Sequence, residues 1–316
     1  MSWLWIVLGA LLLAALALGY VSFRFACVRR RQRDLTTRES LEASHYAPLA
    51  DEMLAGMAFL KEHDPEVLHV KSFDGLTLTA RLVTQKNARG TLLLFHGYRS
   101  TYQIDYAISA PFYFAQGFNL LLADERAHGD SEGRYITFGV RERRDVYTWV
   151  CEAAQRFGRE FPFFLGGLSM GASTVLMASE YKFPANVRGI VADCGFTSPY
   201  EIQKSVLRAR NPRLLAGPLL CLLGLYARVF AGFGLKEAST LEAVKKTSYP
   251  ILFIHGSGDT FVPCRMSQEN YDACRSEKRL LIIDGANHAM SYIQDRPRVQ
   301  SALEAFFDDH LKEEQP

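Results

Sequence analysis

The chain opens with an uninterrupted apolar stretch. Residues 3–23 carry no charged side chain, and as a helix rising about 1.5 Å per residue they would match the thickness of a bilayer's hydrocarbon core. This pattern predicts a transmembrane helix. The alternative, a cleaved signal peptide, would show a basic start, a shorter apolar run and small residues at the exit, whereas the exit here is Phe23-Arg24-Phe25. Residues 34–66 alternate charged and apolar positions, with Leu41, Tyr46, Leu49, Met53, Met57 and Leu60 among the latter, and predict a helical linker. The period then changes to two. Residues 67–73 and 76–83 flank Asp74-Gly75, a strong hairpin signal.

Beyond the hairpin, short charge-poor runs at residues 91–95, 118–123, 161–165, 187–192, 251–254 and 279–283 have the character of buried parallel strands. Helical patterns separate them, such as 140–157, with Val146, Val150, Ala153 and Phe157 on one face, and 296–311, with Val299, Leu303, Phe306 and Phe307. The predicted class is α/β: a mixed, mostly parallel sheet with helices on both faces. Residues 199–248 break this rhythm and read as a helical cap inserted between two strands, with a strongly apolar centre at residues 214–233. A second membrane span is the other reading of that centre, opposed by Arg228, Pro218 and three glycines. The chain thus divides into an anchor (1–23), a basic juxtamembrane and helical linker (24–66) and a body (67–316) that carries the cap.

Composition narrows the function classes. A chain of 316 residues that is 48% hydrophobic and 22% charged is neither disordered nor a small disulfide-stapled scaffold. Residues 1–33 hold five arginines (Arg24, Arg29, Arg30, Arg31 and Arg33) and no acid, which leaves 31 basic against 34 acidic groups in the remainder. A weakly acidic body gives no reason to expect nucleic acid as a partner. Arginines gathered just after the span predict a cytoplasmic body and an external N-terminus, with the basic run resting on anionic headgroups or, alternatively, on an acidic partner. Cys27, Cys151, Cys194, Cys221, Cys264 and Cys274 form no C-x-x-C pair and read as scattered thiols.

The chemistry gathers at the ends of the predicted strands. Gly167-Leu168-Ser169-Met170-Gly171 follows one strand and precedes a helical run, the context of a nucleophile elbow, where a strand turns sharply into a helix and exposes a serine hydroxyl. That hydroxyl needs a base, and the base needs a carboxylate to fix its tautomer. His288, in Gly285-Ala286-Asn287-His288, and Asp259, in Gly258-Asp259-Thr260-Phe261-Val262-Pro263, follow later strands and would project from the same sheet edge. Asp193, which also ends a strand, is the rival acid, and Asp284 reads as a turn residue. The backbone N–H groups of Tyr98 and Met170 are the expected oxyanion donors. His96 and His128 read as struts holding their loops. No Gly-x-Gly-x-x-Gly, Walker loop or His-x-x-x-His pair occurs, so no nucleotide cofactor and no metal is expected.

Taken together, His96-Gly97, the loop Asp124-x-Arg126-x-His128-Gly129-x-Ser131-x-Gly133, the elbow at Ser169, Gly258-Asp259-x-x-Val262-Pro263 and Asn287-His288 resemble the α/β-hydrolase family over residues 67–312. The loop is most similar to the monoacylglycerol-lipase and lysophospholipase-like branch, and the apolar N-terminus to membrane-anchored members. Glu125 departs from that branch, which often has a small or different residue there. The resemblance implies an α/β-hydrolase fold and a Ser-Asp-His acyl hydrolase with a cap between the sixth and seventh core strands. The reading that follows is a membrane-anchored, single-pass serine hydrolase of hydrophobic or lipid-like carboxylic esters. Peptidase, thioesterase or acyltransferase chemistry and a non-catalytic binding module are the alternatives. On this reading the body without residues 1–33 should be largely soluble and, with residues 199–248 as a cap, active on short water-soluble esters.

Overall fold

Five of the six charge-poor runs have apolar side chains to bury on two faces and line up in the middle of one sheet. The run at 279–283, expected to be buried, forms the half-buried edge strand because among the described residues no further strand pairs beyond it. The computed structural model describes residues 2–31, 34–210 and 216–312; Arg33 of the basic run and Leu214 and Leu215 of the apolar stretch lie outside the described residues. Its strands are β1 (Glu66–Lys71), β2 (Thr77–Val83), β3 (Gly90–Phe95), β4 (Phe118–Ala123), β5 (Phe163–Leu168), β6 (Val187–Asp193), β7 (Ile251–Gly256) and β8 (Lys278–Ile283). They pair in the order β1-β2-β4-β3-β5-β6-β7-β8. The β1–β2 and β2–β4 pairs are antiparallel and the rest parallel. In β3, Leu93 and Phe95 join a core with Val146, Trp149 and Val150 of the helix Glu142–Phe157. Leu92 and Leu94 join a second core with Val299, Leu303, Phe306 and Phe307 of the helix Arg296–Leu311. The period-two alternation of one strand thus feeds both faces.

Two boundaries differ from the sequence expectation. β5 runs three residues past the apolar run at 161–165, through Gly166 and Gly167 to Leu168, because the ladder to Leu94 and Phe95 of β3 needs only backbone. The hairpin loop is wider than Asp74-Gly75. Pairing stops at Lys71 and Thr77, and Ser72 N–H donates to the Leu76 carbonyl. The Asp74 carboxylate is drawn away to Arg126 and Arg141.

A third core lies over the C-terminal edge of the parallel strands. Between β6 and β7 the chain forms the helices Pro199–Arg210, Ala216–Tyr226 with a π-turn continuing to Ala231, and Thr240–Val244. The helix Ser2–Cys27 joins them. Phe23, Ala26 and Cys27 pack with Phe138, Met170, Phe196, Leu220, Leu223 and Phe233. Only one described helix, Trp3–Cys27, is long and apolar enough to cross a membrane; Ala216–Ala231 is too short to do so alone.

The C-terminal turns of the N-terminal helix also bond to the body. Tyr98 Oη donates to the Ala26 carbonyl at 2.7 Å, and the Arg99 guanidinium donates to the carbonyls of Phe25 and Val28. Val28 bridges Tyr135, and Arg29 donates to the carbonyls of Ser131 and Gly129 at 2.7 and 2.6 Å. Hydrophobicity along the sequence showed that this segment avoids water without showing that part of what it meets is its own body. The segment after it lies on the body too. Leu41, Met53 and Leu60, in or beside the helices Arg38–Glu42 and Ala50–Glu62, are buried.

Burying Phe23 alone contributes about 1.5–3 kcal/mol. Deleting residues 1–33 should therefore lower the melting temperature by about 5 °C or more relative to the full chain in the same detergent. Equal melting temperatures would show that the helix is a tether after all.

Candidate active site

Ser169 sits where β5 turns into the helix Met170–Ala178, with φ 55° and ψ −108°. Such a left-handed conformation is costly for a serine, and the surroundings enforce it. The Ser169 N–H is held by the Asp193 carbonyl at 2.8 Å, extending the β5–β6 ladder by one residue. The two motif glycines make the turn possible: a Cβ at Gly167 would strike the backbone of Gly171 and Ala172, and one at Gly171 would strike the Phe95 carbonyl. The result is a serine only 6% exposed, at the floor of an apolar cavity.

His288 and Asp259 reach this serine from the loops after β8 and β7. His288 Nε2 lies 2.9 Å from Ser169 Oγ, and His288 Nδ1 lies 2.6 Å from Asp259 Oδ2. Since the carboxylate only accepts, Nδ1 carries the proton and Nε2 is left to accept from the serine hydroxyl. The other Asp259 oxygen accepts the N–H groups of Phe261 and Val262, both at 2.8 Å. Burial would raise the Asp259 carboxyl, but hydrogen bonds from His255 and His288 outweigh it and hold the group well below the usual carboxylate range. It stays charged at any working pH.

Asp193, the rival acid, faces elsewhere. Its carboxylate accepts from Ser291 Oγ at 3.2 Å, and burial pushes it up to about 6. Asp284 accepts at 2.9 Å from Oγ of Ser257, in the loop after β7.

The expected oxyanion donors, the N–H groups of Tyr98 and Met170, have fixed neighbours. Gly97 N–H is tied to Asp105 Oδ2 at 2.6 Å and Arg99 N–H to His128 Nε2 at 3.0 Å, and Tyr98 lies between them. A Cβ on Gly97 would lie 3.5 Å from Ser169 Cβ, so this loop abuts the serine. Met170 is the first residue of its helix, where a backbone N–H has no intrahelical partner. His96 and His128 hold the loops from below. Each donates from Nδ1 to a carbonyl, of Gly97 and Arg126 respectively, and accepts at Nε2 from a backbone N–H, of Glu125 and Arg99. Burial lowers both rings, consistent with these neutral tautomers.

Two contributors were not legible. Asp105 anchors the oxyanion loop through Gly97 and Ser100. His255 is a second, fully buried imidazole on Asp259, with Nε2 at 3.1 Å from Oδ2 and Nδ1 at 2.6 Å from Ser267 Oγ. Its place at the end of the strand that leads to Asp259 was the available signal. Cys194, Asp259 and His288 bring one potential metal-ligand atom each within 4.8 Å of one another. His288 and Asp259 are already each other's partners there, and burial lifts the Cys194 thiol well above its ordinary value.

This sheet order, with a strained strand–helix turn after β5, is that of the α/β-hydrolase fold, and the comparisons agree on the fold. Residues 86–215 match the family model described as serine aminopeptidase, S33. The uncharacterized protein YqkD of Bacillus subtilis (strain 168) is 26% identical over 306 residues, covering 96% of each chain. Among solved structures, the Pyrococcus furiosus esterase Pf2001 superposes with a TM-score of 0.63 at 21% identity, over 79% of this chain and 94% of that one. Est1E of Butyrivibrio proteoclasticus, solved with ferulic acid, gives 0.58 at 20% identity, over 77% and 99%.

Glu125, the departure from the lipase-like loop, is buried against the Thr174 hydroxyl without a well-formed hydrogen bond. Burial, then the nearby Glu142 charge, raise its carboxyl well above the ordinary value. A raised carboxyl stabilises the fold fully below its unfolded pKa of about 4.3, and that stability is lost as pH climbs towards the folded value. Glu125→Gln mimics the neutral acid at every pH. Its melting temperature relative to the unsubstituted protein should therefore rise from pH 5 to pH 8, by a few degrees in all; a pH-independent difference would place the charge elsewhere.

Proposed function

We propose that the protein is a membrane-anchored serine hydrolase of carboxylic esters with hydrophobic acyl groups. The observation that carries this reading is the unbroken chain from Ser169 Oγ through His288 to Asp259 at the floor of an apolar cavity. Ser169 Oγ attacks the ester carbonyl while His288 Nε2 takes the hydroxyl proton, and the N–H groups of Tyr98 and Met170 receive the oxyanion. The C–O bond to the alcohol then breaks, with His288 returning the proton to the departing oxygen. Water, deprotonated by the same nitrogen, releases the acid and restores the serine. Throughout, the charged Asp259 stabilises the imidazolium.

The matched family's description raises an aminopeptidase as the second reading. Such an enzyme must bind an α-ammonium group, yet among the described residues that line the cavity the only charged side chain is Arg210 and no carboxylate is present. The lining favours an uncharged acyl group. A retained anchor, rather than a cleaved leader, is supported by the burial of Phe23 and Cys27 and by the bonds from Tyr98 and Arg99 to the helix's last turn. The arginines that follow favour a cytoplasmic body.

Ser169→Ala should abolish labelling by a fluorophosphonate probe and all ester turnover while leaving the melting temperature nearly unchanged. Asp259→Asn should lower kcat by about 10³–10⁴ by favouring the wrong His288 tautomer, with Asp193→Asn far milder. Full turnover in Ser169→Ala, or a reversed order for the two aspartates, would overturn the assignment.

A further inference from the structure

The cavity above Ser169 has a volume of about 260 Å³, and one of its walls is the N-terminal helix. Val21, Ser22 and Phe25 face it from that side, and Val206 and Leu207 of the helix Pro199–Arg210 from the other. The helix is held in register there. Gly19 leaves no room for a side chain against Leu222 and Tyr226, Tyr226 Oη donates to the Leu16 carbonyl at 3.1 Å, and the Phe23 ring stacks on Phe230 at 5.8 Å.

The outer surface at this point is apolar and continuous with the candidate membrane span. Val21 is 60% exposed, and Leu225, Val229 and Phe230 on the neighbouring inserted helix are exposed beside it. Tyr20 joins the two surfaces by edge contacts to Tyr226 and Phe230. Charge begins immediately afterwards: Arg24 lies one turn beyond Val21, and Arg30, Arg99 and Arg210 surround the Phe25 ring within 6 Å. If residues 3–23 cross the bilayer, the last apolar turns and the inserted helix beside them lie in one leaflet, and the arginines mark its headgroup level. The cavity then opens towards hydrocarbon.

Resting on the serine-hydrolase reading above, we infer that this cavity receives the acyl chain of a single-chain lipid ester directly from the leaflet, along Val21 and Phe25 of the N-terminal helix. The ester carbonyl meets Ser169 while the polar head stays near the arginines. The cavity lies at the small end of ligand sites, which suits one chain rather than two. The N-terminal helix is therefore part of the substrate site as well as the anchor.

The test uses the full chain in phosphatidylcholine–phosphatidylglycerol vesicles and an alkyl fluorophosphonate with a diazirine at the end of its tail. After Ser169 is phosphonylated, photolysis should cross-link the tail to peptides containing residues 21–26 and 206–207. Cross-links confined to other parts of the chain would overturn the inference while leaving the hydrolase reading standing, whereas absence of phosphonylation would overturn that reading and the inference with it. In parallel, Val21→Trp should narrow the passage and lower the ratio of palmitoyl-ester to butyryl-ester kcat/KM about tenfold. An unchanged ratio in a variant that still labels at Ser169 contradicts the inference.

Discussion

The reversal of the chain between β5 and the helix Met170–Ala178 is the constraint on which the rest of the site depends. It holds Ser169 at a positive φ that an isolated serine avoids, and it does so with the largest available restraints, the sheet on one side and a helix packed on the sheet on the other. Because the turn is so tight, Phe95 at the end of β3 comes against Gly171, which brings the His96–Tyr98 loop beside the serine. Asp105 and His128 then fix that loop on either side of Tyr98. Asp259 and His288 arrive from strands further along the same sheet edge. The position of each reacting group is thus set by backbone pairing, and side chains refine it.

The second feature is that the N-terminal helix and the body share a core. Phe23, Ala26 and Cys27 pack with residues from the inserted helices and from the loops above the sheet, including Met170 next to the serine. On the proposed function, a helix that both avoids water and packs on the serine's surroundings would couple location to activity. Such coupling gives a physical reason for an ester hydrolase to keep its helix: without it the wall of the cavity at Val21 and Phe25 would be open.

Much of the architecture was legible in the residues. The charge-poor runs become strands, five of them central and the one at 279–283 at the edge, and the amphipathic patterns at 140–157 and 296–311 become helices, because a strand buried on two faces and a helix buried on one leave distinct periodicities. Ser169, Asp259 and His288, which the fold brings within hydrogen-bond reach of one another, stand at strand ends whose turn residues single them out in the sequence. Partnership was less legible. The helix Ser2–Cys27 is apolar all round, so its pattern cannot say which side meets lipid and which meets Leu222 and Tyr226. Asp105 and His255 lie in no recognisable motif of their own; their roles follow from distances across the fold. Glu125 looked like a departure from the lipase-like loop, and only its burial beside Thr174 shows why its charge is costly.

The central claim is covalent: an acyl group passes through Ser169. The most direct measurement is peptide mapping by mass spectrometry after rapid acid quenching of the full-length protein at intervals during turnover of a slowly deacylating ester. The account predicts an acyl adduct on the peptide containing Ser169 that builds up with the initial burst of alcohol release, holds a constant level during steady-state turnover and decays with acid release once the ester is exhausted. Turnover with no adduct at Ser169, or an adduct on a different residue that follows this time course, would contradict it.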